Sequence, residues 1–197
     1  MDEPRDPTLE QRQHSLLWDR FRAGDEGAFR ALTETYYRVL ANYGMKLSRD
    51  KDFVADCIQE LFLELWERRR FLGDAVFVKS YLLKAVRNKI IKESIKLRRF
   101  KEPEDLEFGR GEYHPIELEI VSTEAEREKI NHLKSLLGDL TKRQQEIIYL
   151  RFYQNLEFDE ISEVMGLTRQ SVANLLHRTI KDIRSKWIIS LFFWILL

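Results

Sequence analysis

Apolar side chains recur every three or four positions along most of this chain, and no run of alternating apolar and polar residues interrupts them. Leu16, Leu17 and Phe21 predict a short helix that stops near Gly24, with Asp25 placed to cap the next. Phe29, Leu32, Tyr36, Val39, Leu40, Tyr43 and Leu47 then fall on one stripe, which Ser48-Arg49-Asp50 breaks. Phe53, Val54, Cys57, Ile58, Leu61, Phe62, Leu65 and Trp66 make a wide apolar face, with Asp52, Asp56, Gln59, Glu60, Glu64 and Glu67 on the other side. Arg68-Arg69-Arg70 ends that helix, where cations suit its dipole. After a turn at Gly73-Asp74, a long helix is predicted from about Phe77 to Phe100, with Phe77, Tyr81, Leu82, Ala85, Val86 and Ile90 on its apolar side.

The second half repeats the pattern. Ile130, Leu133, Leu136, Leu137 and Leu140 form one helix face. Thr141 and Gln144 have the spacing of a capping box for the next helix, whose core side is Ile147, Ile148 and Phe152. Glycine and proline are scarce and strand signals are absent, so the fold class is all-α. Between the halves, residues 101–122 carry Pro103, Gly109, Gly111 and Pro115 with no sustained period. The expected organisation is two small helical domains, 14–100 and 123–187, joined by an acidic linker at 101–122. A polar, mobile tail (1–13) precedes them and an apolar tail (188–197) follows.

Phe158 to Arg184 carries the most specific local pattern. Ser162 is small where two helices cross, Gly166 follows where a turn needs positive φ, and Val172 follows where a second helix packs back. These are the steric demands of a helix-turn-helix, whose second helix enters the DNA major groove. The same residues would also serve a plain pair of packed helices. On the second helix Arg169, Gln170, Ser171, Asn174 and Arg178 can face outward. Arg, Asn and Gln are the side chains that read guanine and adenine edges. Lys181 and Arg184 suit phosphates.

Charge sharpens this picture. The formal net charge is zero, from 33 basic and 33 acidic residues, but the zero is a cancellation. Lys84 to Lys101 is basic apart from Glu93, and Glu102 to Glu126 is acidic apart from Arg110. Such asymmetry implies separate surfaces for separate partners. Lys84, Arg87, Asn88, Lys92, Lys96 and Arg99 share one face of the long helix, with Trp66, Phe71, Phe77 and Tyr81 close in sequence. Cations neutralise phosphates and aromatic faces receive unstacked bases, although core packing explains most of these aromatics taken singly.

Enzyme chemistry finds no support in the residues. There is no Gly-rich phosphate loop, HExxH or CxxC motif, and His14, His114, His132 and His177 lack metal-ligand spacing. The lone Cys57 lies on an apolar face, which excludes a disulfide framework and fits a reducing compartment. Asp56, Glu60 and Glu64 would need a second acidic helix to hold a cation, and none is apparent. No catalytic residue, metal or cofactor is therefore expected, and no small-molecule substrate. The acidic start, Met1-Asp2-Glu3-Pro4, is not followed by an apolar run, so no secretory signal is expected. The apolar run from Trp187 to Leu197 is too short to span a bilayer.

Several segments in order resemble the extracytoplasmic-function (ECF) sigma factors, compact sigma-70 subunits of bacterial RNA polymerase. Gly24-Asp25 with Ala28-Phe29 is similar to the family's opening "GD…AF". Asp56 to Trp66, DCIQELFLELW, is similar to its D-x-x-Q-E-x-F core. Tyr81-Leu82 with Ala85-Val86-Arg87-Asn88 resembles W-L-x-x-x-A-R-N, with Tyr for Trp. Leu140-Thr141 with Arg143-Gln144, Phe158 to Ile161, Met165-Gly166-Leu167 and His177-Arg178 match the family's closing motifs.

The resemblance implies that Asp56, Gln59 and Glu60 dock on the β′ clamp helices of core RNA polymerase. The loop at Phe71 to Val78 and the basic face Lys84, Arg87, Asn88, Lys92, Lys96 and Arg99 would open and hold the promoter −10 element. Thr168, Arg169, Gln170, Ser171, Asn174, Arg178 and Lys181 would read the −35 element, with the second domain on the β flap. The acidic linker would thread basic polymerase channels. An anti-sigma factor is the expected inhibitory partner and the cytoplasm the expected location, with membrane-proximal sequestration by that inhibitor as a variant. Two departures stand out: Ala173 and Leu175 replace common cations, and Glu157 replaces the usual Ser cap. The apolar tail lies outside the pattern, and would extend the last helix, dock an inhibitor or rest on a membrane. The competing reading is a free-standing helix-turn-helix regulator that binds DNA without polymerase.

Overall fold

The computed structural model describes residues 9–98 and 135–196, with side chains for 9–97 and 135–187. The chain divides into two compact units, and every regular element among the described residues is helical. The expected linker, Arg99 and the Ile130–Leu133 half of the next helix lie outside the described residues.

The first unit packs α1 (Leu9–Arg22), α2 (Glu26–Leu47), α3 (Lys51–Glu67) and α4 (Val78–Arg98), with a 3₁₀ turn at Arg69–Phe71. Its helix starts are set locally. The Asp25 carboxylate accepts from the Ala28 N–H at 3.0 Å, and Asp50 accepts from Phe53 N–H at 3.0 Å. The Ala28 bond and then the Arg20 guanidinium hold the Asp25 carboxyl below its usual range. Helix α1 begins at Leu9, earlier than the expected tail 1–13 allows. Residues 9–13, one exposed Leu followed by four polar side chains, give little sequence signal. Just after them the Tyr36 hydroxyl lies 2.8 Å from His14 Nδ1, with the two rings edge to face at 5.4 Å, which ties this turn of α1 to α2.

Trp18, Phe21, Leu32, Leu40, Tyr43, Ile58, Leu82, Leu83 and Val86 form the buried centre. An aromatic run joins Phe21, Phe29 and Trp66, with Phe29 and Trp66 centroids 4.9 Å apart. Phe77 and Tyr81, expected on the apolar side of α4, are instead 39% and 37% exposed. Phe77 is the last residue of the loop before α4, and Tyr81, on the first turn of α4, sets only one edge against the Trp18 ring of α1.

Gly44 marks the tightest crossing. A Cβ there would lie 2.5 Å from Val54 Cγ1 and 3.1 Å from Ile90 Cδ1. Val54 is stiff at χ1 and cannot swing aside. Gly44→Ala is therefore expected to force α2 off α3 and cost about 1–3 kcal/mol. Urea unfolding reads this; an unchanged midpoint would show that the crossing yields without penalty.

In the second unit, residues 135–138 are helical. Then come α5 (Lys142–Ile148), a π-helical turn (Tyr149–Tyr153), α6 (Phe158–Met165) and α7 (Arg169–Leu196). The Thr141 capping box forms as expected: Gln144 N–H donates to Thr141 Oγ1 and Thr141 N–H to Gln144 Oε1. The π turn corrects one expectation. Ile147 and Ile148 are buried, but Phe152 is 59% exposed, and Tyr149 and Leu150 fill the core beside them. Gln154 N–H reaches back to Tyr149 O, a wider loop than an α-helix makes, and this shifts the phase of the apolar stripe. Asn155 follows in the left-handed region at φ 59°, and Arg151 donates to Leu156 O at 2.8 Å, closing the turn. Helix α7 runs on to Leu196, so the apolar tail continues the last helix. No described helix is long and apolar enough to cross a membrane.

Candidate nucleic-acid and docking surfaces

On α3, Val54, Cys57, Ile58, Leu61, Phe62 and Leu65 turn inward. The 3.6-residue period therefore turns Asp52, Asp56, Gln59, Glu60, Glu64 and Glu67 out to solvent, where all are exposed. Leu63 lies among them at 60% exposure and was not singled out in the sequence. An apolar residue four positions after Gln59 on a polar face was the signal for it.

Behind this face, Lys89 of α4 reaches two of its carboxylates. Lys89 Nζ lies 2.9 Å from Glu60 Oε2 and 2.7 Å from Glu64 Oε1, and its side chain is only 9% exposed. Glu60 and Glu64 are thus held by a cation of the protein itself. Burial works against the Lys89 charge, but the two carboxylates outweigh it and raise its pKa above 10.5. Stability from this cluster is therefore fully present below the ordinary lysine range and is lost as pH rises through the raised pKa. Lys89→Met is expected to remove that alkaline loss and to lower stability at neutral pH. Melting temperatures at pH 7 and across the alkaline range test it, and identical alkaline profiles would refute the clamp. Cys57 sits close by, where burial pushes its thiol up to about 11, so it is a packed thiol at neutral pH.

The segment after α3 is held from below. Trp18 Nε1 donates to Gly73 O at 3.0 Å, and the Trp18 ring meets Tyr81 edge-on at 5.1 Å. Above this anchor Phe71 is 85% exposed, Val76 48% and Phe77 39%. Trp66 packs on Phe29 instead and carries the Arg69 guanidinium 4.3 Å from its ring centroid. Along α4, Asn88, Lys92 and Lys96 are exposed, and Lys84 and Arg87 are half-buried. Lys96 pairs with Glu93 at 2.7 Å. Asn88 and Lys92 line one groove with Glu64, Lys89 and Glu93. Part of the charge of the described cations is answered within the unit.

In the second unit α6 ends at Gly166, whose φ of 64° and ψ of 38° are left-handed. Its N–H and that of Leu167 both close on Ser162 O. Glu157 opens α6 in place of the usual Ser and forms a capping box with Glu160, its own N–H donating to Glu160 Oε2 at 3.0 Å. Thr168 caps α7, accepting from Ser171 N–H at 3.2 Å. Val172, Leu176 and Thr179 are buried against the rest of the unit. That orientation leaves Thr168, Arg169, Gln170, Ser171, Asn174, Arg178 and Lys181 exposed on one side. Arg169 pairs with Asp159 at 3.2 Å, and Gln170 Nε2 donates to Asn174 Oδ1 at 3.1 Å, which orients both amides. Ala173 and Leu175 are half-buried, off the most exposed strip.

Residues 32–100 match the family description Sigma-70 region 2, and residues 136–185 match Sigma-70, region 4. Together the two spans cover more than half of the chain. The ECF RNA polymerase sigma factor SigL of Mycobacterium tuberculosis is 24% identical over 165 residues, covering 82% of this chain and 90% of SigL. Among solved structures, CnrH, bound to the cytosolic domain of CnrY, superposes with a TM-score of 0.58 at 20% identity, covering 89% of this chain and 97% of CnrH. The sigma factor RpoE of Bartonella quintana, in complex with the anti-sigma factor NepR, gives 0.55 at 16% identity, covering 80% and 94%. Both likenesses establish the shared fold. The region 2 and region 4 matches agree with the two helical units: this chain belongs to the sigma-70 family, and it resembles the extracytoplasmic-function member SigL along most of its length.

Proposed function

We propose that this sigma factor docks on core RNA polymerase through the exposed face of α3 and reads promoters with both units. Asp56, Gln59 and Glu60 contact the β′ clamp helices, and Leu63 supplies an apolar contact in their midst. The loop carrying Phe71, Val76 and Phe77 holds the −10 element, with Lys84, Arg87, Asn88, Lys92, Lys96 and Arg99 on its phosphates. Thr168, Arg169, Gln170, Ser171, Asn174, Arg178 and Lys181 read the −35 element while the second unit rests on the β flap. Domains 14–100 and 123–187 carry the two activities, and the acidic stretch 101–122 passes through the polymerase. The protein performs no chemistry itself and acts in the cytoplasm.

An anti-sigma factor controls it. CnrH and RpoE were each solved with a bound partner, and this chain shares their fold. The observation that carries the reading is the pairing of an exposed acidic helix face in one unit with an exposed, properly capped recognition helix in the other. Neither surface needs high affinity alone, because tethering raises the effective concentration of each. Run-off transcription with core polymerase, followed by mapping of transcript starts, tests it. Promoter-dependent transcripts are expected. Tight duplex binding without polymerase, and no transcript with it, would favour the free-standing regulator instead.

A further inference from the structure

Helix α7 is longer than the core it serves. Its 28 residues rise about 42 Å, whereas α5 and α6, with 7 and 8 residues, rise roughly 10–12 Å each. Val172, Leu176 and Thr179 are buried, but no described residue of α7 after Thr179 is. Beyond that point the helix meets its unit through polar pairs at the surface. Gln144 Nε2 donates to Asp182 Oδ2 at 2.8 Å, and Lys186 Nζ lies 3.5 Å from Asp139. The region 4 match likewise ends at residue 185. Both the packed core and the family pattern therefore stop before the apolar run that begins at Trp187.

From Trp187 to Leu197 the only polar residue is Ser190. The helical period places Ile188, Leu191 and Ile195 on one side and sets Phe193 and Trp194 to either side of Ser190 on the other. A second copy or a protein partner would take one stripe of such a helix, whereas hydrocarbon covers every side at once. Just ahead of the run, Arg178, Lys181, Arg184 and Lys186 stand against Asp182 alone, and Lys181 and Arg184 are exposed. Cations beside an apolar segment suit anionic lipid headgroups. Trp187 lies at the boundary between the two, where tryptophan is favoured at a membrane–water interface. Residues 188–196 rise about 14 Å, roughly half of a hydrocarbon core, which is enough to enter one leaflet.

We infer that the end of α7 inserts into one leaflet of an anionic phospholipid membrane, with Trp187 at the interface and Lys181, Arg184 and Lys186 on the headgroups. The apolar run supplies the insertion and the cations supply the preference for anionic lipid. This attachment belongs to the chain itself and does not rest on the promoter-reading function proposed above.

Vesicle flotation of the full chain tests it, because vesicles rise and protein aggregates sink. The chain should float with vesicles of phosphatidylglycerol and phosphatidylethanolamine, and much less with phosphatidylcholine alone. Leu191→Asp with Ile195→Asp should abolish flotation at every salt concentration. Arg184→Gln should weaken it about fivefold at low salt and little at high salt. Phosphatidylglycerol brominated on its acyl chains should quench tryptophan fluorescence, and Trp194→Phe should remove much of that quenching. Arg49→Gln, on an exposed residue of the α2–α3 connection, should change nothing. Thermal melts confirm that each variant folds. A folded wild-type chain that stays off anionic vesicles would overturn the inference. So would equal flotation of the double Asp variant, which would assign binding to the cations alone. A stable wild-type dimer in sedimentation velocity that does not float, and that the double Asp variant dissolves, would instead put a second copy on this segment. Run-off transcription by the wild-type chain is scored separately, so the promoter-reading function can stand while the membrane attachment falls.

Discussion

Asp56→Arg with Glu60→Arg is expected to abolish binding to core polymerase while leaving the protein folded. Both side chains are exposed, and the buried face of α3, from Val54 to Leu65, is untouched by the change. Reversing two charges in a complementary interface sets like charge against like, at a cost of several kcal/mol. That predicts a loss of at least about 100-fold. Inside the protein, Glu60→Arg removes one of the two carboxylates on Lys89, but Glu64 remains 2.7 Å away. A modest drop in melting temperature should therefore accompany the loss of binding. Polymerase pull-down beside circular-dichroism melts separates the two effects. A well-folded double variant that still binds core polymerase would move the docking surface off α3. Leu63→Ser gives a finer reading of the same face, because it removes apolar contact without altering charge.

Asn174→Ala with Arg178→Ala is the second change expected to act strongly, and it should alter promoter choice more than activity as such. A bidentate contact to a base edge discriminates by about 1–3 kcal/mol, roughly 5- to 150-fold for each side chain. Asn174 is oriented by Gln170, so its loss also frees the Gln170 amide to turn. The helix itself should survive, since Val172, Leu176 and Thr179 anchor it from the opposite side. Competition run-off between a cognate promoter and one with a scrambled −35 element measures the effect. The double variant should transcribe the two nearly equally, while polymerase binding stays at the wild-type level. An undiminished preference for the cognate −35 element would mean that other residues of α7 make the reading contacts. Ala173 and Leu175 are half-buried, so restoring cations there should change affinity less than a change on the exposed strip.

What could be read without coordinates was whatever depends on neighbours within one or two turns. Asp25 and Thr141 cap helices because a short acceptor faces the N–H three residues on, and that geometry is written in adjacent residues. Gly166 at the turn and the outward strip of α7 follow from the same local rules. The all-helical class and the acidic face of α3 needed only the 3.6-residue period. The start of α1 is not legible because residues 10–13 are polar on every side, whereas the helix is tied down by His14 against Tyr36, 22 residues later. An uninterrupted period puts Phe152 in the core, whereas the π turn at Tyr149–Tyr153 shifts the phase by its extra residue.

The sequence by itself therefore determined the helices, their caps, the helix-turn-helix and the charged faces, because each is an interaction between residues close along the chain. Tertiary structure decided which of those charges are answered and which remain available. Lys89 lies 29 and 25 positions from Glu60 and Glu64 and meets them only because α3 and α4 pack side by side. Arg22 and Arg69 share a cleft only because the end of α1 meets the turn after α3. Phe71 and Phe77 are exposed because the loop between α3 and α4 is pinned by Trp18 with its rings outward. Periodicity tells which side of a helix faces inward; only the packing of one helix on another tells which outward groups still lack a partner.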